Sequence, residues 1–113
     1  MLFRSDVFQP DICVFSKEQR EYLDERGAVS APWLVVEILS PSSRRLDRGP
    51  KREVYARCGT RELWLIDPDK REVAVYYLRE DAERPAKLLS ESENLTTGLF
   101  PGLAISLARV FAR

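Results

Sequence analysis

The chain has 113 residues, with 18 Lys+Arg against 18 Asp+Glu, and 44% of it is hydrophobic; this is an ordinary globular composition, neither disordered nor collagen-like, and its length fits a single domain over 1–113. It contains no histidine and only two cysteines, Cys13 and Cys58, which excludes Ser-His-Asp and Cys-His nucleophile systems, His-ligated zinc or haem, a structural zinc site of cysteines, and a multi-bridge disulfide scaffold. No apolar run approaches the ~20 residues of a membrane helix, and the N-terminus lacks the basic and apolar regions of a signal peptide. The expectation is a cytoplasmic protein with two free thiols and no membrane partner.

Residues 7–15 are rich in β-branched and aromatic side chains and read as a strand, with Pro10 at its start or at a sheet edge. Residues 16–30 are polar and highly charged, and suit a short helix or a loop equally well. Residues 33–39 are almost continuously apolar, as in a strand covered on both faces of a sheet. A loop signal follows at Ser40-Pro41-Ser42-Ser43. Gly49-Pro50 opens a helix that runs to about Cys58, with Gly59 placed as its left-handed C-cap. Residues 63–67 and 73–78 read as strands joined by the tight turn Asp67-Pro68-Asp69-Lys70. After a charged loop at 79–86, residues 87–90 suit a short edge strand. Thr97-Gly98 and Pro101-Gly102 are turns, and 103–111 is compatible with either a strand or a helix. No repeat or internal linker interrupts this mixed α/β pattern.

Two carboxylates stand where the strand pattern wants apolar residues. Asp11 precedes Ile12-Cys13-Val14-Phe15, and Glu37 lies within Leu34-Val35-Val36-Glu37-Ile38-Leu39. A buried carboxylate needs a cation, hydrogen-bond donors or a metal. Two on neighbouring strands could hold a hard divalent cation; each could equally be a salt-bridge partner, or face solvent at an edge. On the helix from Pro50, the residues Lys51, Val54, Tyr55 and Cys58 fall at i, i+3, i+4 and i+7, one face, while Arg52, Glu53 and Arg57 fall on the other. Lys51 thus sits on the core-facing stripe in the first turn, where the helix dipole disfavours a cation. Either an acid compensates it or its amine snorkels to water. Arg44, Arg45, Arg48, Lys51 and Arg52, opposed nearby only by Asp47, could contact phosphates or simply form a solvated surface. Ser40, Ser42 and Ser43 have no histidine base to activate them.

Taken in order, Gln9-Pro10-Asp11-Ile12, then Val35-Val36-Glu37-Ile38-Leu39-Ser40-Pro41-Ser42, Asp47-Arg48-Gly49-Pro50-Lys51, Tyr55-Ala56-Arg57-Cys58-Gly59 and Leu63-Trp64-Leu65-Ile66-Asp67-Pro68 closely resemble the Uma2 family of proposed endonucleases, and the closing Leu99-Phe100-Pro101-Gly102-Leu103 is similar to that family's C-terminal segment. The family belongs to the PD-(D/E)xK, or restriction-endonuclease-like, superfamily. The resemblance implies an α/β fold with a central mixed β-sheet flanked by helices. It implies a metal-dependent endonuclease in which Asp11 and Glu37 bind Mg²⁺ or Mn²⁺, with the main-chain carbonyl of Ile38 as a further ligand. The superfamily's lysine usually stands two residues after the second acid, where this chain has Leu39; in the Uma2 pattern Lys51 takes its place. Asp11, Glu37 and Lys51 are then the catalytic set, and Arg44, Arg45 and Arg48 the nucleic-acid contacts, with DNA the first expectation. Uma2 proteins usually carry more chain before the Pro-Asp strand, so the sequence reads as an N-terminally short member. That reading implies an uncovered apolar surface and a homodimer. It also keeps open an alternative, a catalytically inactive nuclease-fold module acting in nucleic-acid binding or oligomerisation.

Overall fold

The computed structural model describes residues 10–18, 32–40 and 49–112. Among these a five-stranded sheet has the order β1 (Ile12–Val14), β2 (Leu34–Ile38), β3 (Glu62–Asp67), β4 (Glu72–Tyr77) and β5 (Lys87–Ser90). β2 and β3 run parallel and the other neighbours antiparallel, so the sheet is mixed, as the resemblance implied. A parallel pair cannot be joined by a tight turn. The β2–β3 connection accordingly contains helix α1 (Pro50–Cys58).

The helix ends where the sequence says it should. Pro50 occupies its first turn, and Gly59 closes it at φ 102°, a conformation that costs glycine little and a side-chain-bearing residue more. The β3–β4 turn is held by Asp67, whose Oδ1 accepts the N–H groups of Asp69 and Lys70 at 3.1 and 3.2 Å, an Asx-turn arrangement.

Alternation along the strands sorts the core into two layers. Val35, Leu39, Leu63, Leu65, Tyr76 and Leu78 pack beneath α1, with Tyr55 fully buried among them. On the opposite face Leu34, Val36, Trp64, Val73 and Val75 are covered by Leu95, Leu107 and Phe111. Leu95 comes from β6 (Asn94–Thr96), which pairs with β7 (Ala104–Ser106), Leu107 from the short helix α2 (Leu107–Val110), and Phe111 directly follows that helix. The C-terminal segment is therefore strand and then helix, where its sequence allowed either. β6 carries no alternation long enough to announce it; Leu95 is its one buried side chain.

Three expectations are refined. The first strand is shorter than 7–15: among the described residues it spans Ile12–Val14, and 7–9 lie outside them. Of the ambiguous 16–30 stretch only 16–18 are described, with helical backbone at Lys17 and Glu18. Neither cysteine is in a disulfide; Cys13, on the edge strand, is exposed and Cys58 is partly buried. Among the described residues no helix is long and apolar enough to cross a membrane.

Candidate active site

β2 places Glu37 on the α1 side of the sheet, in the same alternating row as Val35 and Leu39. Glu37 is only 2% exposed, so its charge must be met by donors from the protein. The Asp11 N–H donates to Oε1 at 3.2 Å, the Tyr55 hydroxyl to Oε2 at 3.0 Å, and the Lys51 ammonium lies 2.8 Å from the same Oε2. Lys51 and Tyr55 are i and i+4 on α1, so one turn of helix brings both to a single carboxylate oxygen. The core-facing stripe thus carries Lys51 to an acid, and its amine does not run out to water along the helix end; the side chain is 17% exposed.

Asp11 reaches the same place from the sheet edge. β1 pairs with β2 in the register Ile12↔Val36, and one step further along this antiparallel ladder sets Asp11 opposite Glu37 on the same face. Asp11 is exposed, in keeping with the edge placement its sequence left open, because it stands just ahead of an edge strand. It is nonetheless fixed: its Oδ2 accepts the Ile38 N–H at 2.7 Å. The main chain at each acid therefore donates to the carboxylate on the opposite strand. This reciprocal brace holds two acids side by side without a hydrogen bond between their side chains.

The structure thus gathers Asp11, Glu37, Ile38 and Lys51, which are dispersed in sequence. Arg44, Arg45 and Arg48 lie outside the described residues. Arg52 departs from expectation. Its helical phase put it on the solvated outer face, yet it is only partly exposed, its Nε–H donates to the Ala82 carbonyl, and its guanidinium lies 5.2 Å from the centre of the Tyr76 ring. The loop after β4 folds back over the helix and captures it. Tyr55 was legible as a core residue from its spacing, but nothing in the spacing shows where its hydroxyl points.

The sequence model of Uma2, described as "Putative restriction endonuclease", matches residues 2–108. The chain belongs to the Uma2 family. The fold of this Uma2 chain is also similar to the crystal structure of a "putative nuclease belonging to DUF820" from Anabaena variabilis, with a TM-score of 0.68 and 27% sequence identity over 91% of the chain. That match covers 59% of the Anabaena protein, so the Uma2 chain spans about three-fifths of its length. No curated protein matches the chain. The family resemblance and the restriction-endonuclease-like fold expected from the motifs both stand.

Proposed function

We propose that this Uma2 chain hydrolyses nucleic-acid phosphodiester bonds as a divalent-metal-dependent endonuclease. The observation that carries the proposal is the convergence of Asp11, Glu37 and Lys51 on one buried carboxylate position. A structural salt bridge would need only Lys51 and Glu37. The second acid, braced beside the first from another strand, is what a cation site adds.

The donor chemistry fits Mg²⁺ or Mn²⁺. Carboxylate and main-chain carbonyl oxygens are the ligands hard cations prefer, and Asp11, Glu37 and the Ile38 carbonyl would provide them. Among the described residues no group of three or more His, Cys, Asp or Glu that could hold a metal ion occurs, so a cation here would take its remaining ligands from main-chain oxygen and water. When bound, such a cation lowers the pKa of a coordinated water and polarises a phosphoryl oxygen. Glu37 and Asp11 fix the site relative to the sheet. Lys51, tethered at 2.8 Å from Glu37, orients the attacking water or neutralises charge developing on the phosphate. Arg44, Arg45 and Arg48, preceding α1 in sequence, would hold the flanking backbone phosphates without reading bases. A homodimer would bring a second such site to the opposite strand of a duplex; Ile12 and Ile38, 51% and 48% exposed and directed to the other face of the sheet from Glu37, are surface that such an assembly could cover.

The test is cleavage of plasmid and of single-stranded DNA and RNA with Mn²⁺, using Glu37→Gln as control. Metal-dependent cleavage that disappears in the variant supports the reading. Binding without cleavage, unchanged by Glu37→Gln, indicates the inactive module instead.

A further inference from the structure

We propose that Tyr55 is a positioning residue: its hydroxyl fixes the rotation of the Glu37 carboxylate, committing Oε2 to the helix and leaving Oε1 turned toward Asp11, the partner with which it would share a cation. This deepens the nuclease reading and rests on it.

The argument begins with what each donor can hold in place. Lys51 carries its ammonium on a flexible four-carbon stem with rotatable donors, which can follow Oε2 through a range of carboxylate orientations. Tyr55 cannot follow. Its ring is fully buried in the layer beneath α1, between residues of β2, β3 and β4, and a close-packed aromatic ring has one position. The hydroxyl is therefore a fixed point, and Glu37 Oε2 lies 3.0 Å from it. Packing does not call for the hydroxyl, because phenylalanine fills nearly the same volume. A hydroxyl buried this deeply is unfavourable unless it has a partner, and the acceptor it reaches is the carboxylate of the site.

The two oxygens of Glu37 are consequently unequal. Oε2 takes donors from Lys51 and Tyr55, both on α1. Oε1 takes only the longer, 3.2 Å bond from the Asp11 main chain among the described contacts, and Asp11 in turn commits Oδ2 to Ile38. Each acid thus has one oxygen held by the protein and another less engaged. Outer-shell partners that orient a ligating carboxylate in this way are worth on the order of 10-fold to 100-fold in metal affinity or activity.

The experiment compares the whole chain with Tyr55→Phe, Glu37→Gln and the double variant. It uses Mn²⁺ titration by calorimetry, urea unfolding, and the kinetics of plasmid cleavage. Tyr55→Phe should fold, should bind Mn²⁺ about 10-fold more weakly, and should lose kcat with little change in KM for plasmid. The double variant should bind Mn²⁺ no worse than Glu37→Gln, because the hydroxyl acts through Glu37. Three results overturn the assignment: wild-type Mn²⁺ affinity in a folded Tyr55→Phe, a Tyr55→Phe loss that adds fully to that of Glu37→Gln, or a Tyr55→Phe chain that fails to fold, which would make the hydroxyl structural. If the wild type binds Mn²⁺ through Glu37 but cleaves nothing, the nuclease reading fails and the affinity data alone decide on Tyr55. If the wild type binds no Mn²⁺, both fall.

Discussion

The Lys51 ammonium lies 2.8 Å from Glu37 Oε2, joining the first turn of a helix to the interior of a strand. Neither residue is comfortable alone. A cation at a helix N-terminus opposes the dipole, and a carboxylate with 2% exposure has lost nearly all its water. Lys51→Ala should therefore destabilise the chain by about 2–3 kcal/mol, at or just below the lower end for breaking a buried pair because Tyr55 and the Asp11 N–H still donate to Glu37. Urea unfolding measures the loss, and Mn²⁺ should shrink it by replacing the missing cation. Cleavage should fall by a factor on the order of 10², and Lys51→Arg should not restore it, since a planar guanidinium is a poor substitute for a compact amine.

Metal linkage provides a second check. With Mn²⁺ at about 100 times its dissociation constant, binding to the native state alone adds about 2.7 kcal/mol of stability, visible as a rise in Tm. Asp11→Asn combined with Glu37→Gln should abolish that rise. The same Mn²⁺ response in the double variant would place the ion elsewhere.

Arg52 was expected to contribute to nucleic-acid binding at most. Its bond to the Ala82 carbonyl and its place over Tyr76 change the expectation to a fold-supporting role. Arg52→Ala should destabilise by at least about 1–2 kcal/mol, from loss of the Ala82 hydrogen bond and the Tyr76 cation–π contact. Exposed Arg57, on the same helix, becomes the proper surface control, and Arg57→Ala should stay within about 0.5 kcal/mol of the parent.

On the other face of the sheet, Glu62 is a buried acid of a different kind. It accepts from the Trp64 indole at 3.0 Å and from the Thr97 hydroxyl at 2.5 Å, and Thr97 Oγ1 accepts the Leu99 N–H at 3.1 Å. Donation by neutral groups pins the turn after β6 to the sheet. Thr97→Val should cost about 1–3 kcal/mol by leaving a buried acceptor short of a donor, and it should speed hydrogen exchange at the Leu99 amide. Unchanged exchange there would mean that the turn is held by its apolar contacts.

Asp81 supplies a pH-dependent prediction. The main-chain N–H groups of Glu83 and Arg84, which it accepts at 2.9 and 3.2 Å, hold its carboxyl below the ordinary aspartate value. A carboxyl whose pKa is depressed on folding contributes stability above its unfolded pKa and loses it as pH falls through the folded one. NMR titration should place the Asp81 midpoint below that of an unfolded peptide. In Asp81→Asn the acid limb of the stability curve should be slightly flatter.

How much of this was written in the sequence depends on the range of the interaction. Strand β2, helix α1 with its Pro50 start and Gly59 stop, and the β3–β4 hairpin were all legible, because propensity, capping and alternation act over a few neighbouring residues. β6 escaped notice because three residues with one buried leucine carry too little pattern to separate a strand from a turn.

The site divides along the same line. The sequence by itself marked Asp11, Glu37 and Lys51 as residues in uncomfortable local company, since a charge inside an apolar run or on a core-facing stripe violates the local pattern whatever the fold. It could not say what relieves each charge. The register Ile12↔Val36 that sets Asp11 across from Glu37, the packing of α1 that brings Lys51 and Tyr55 to one oxygen, and the loop that captures Arg52 with Ala82 were decided only in the tertiary structure. The reason is physical: the direction of a hydrogen bond and the partner of a charge depend on how separate elements dock, and no spacing within a single element encodes that.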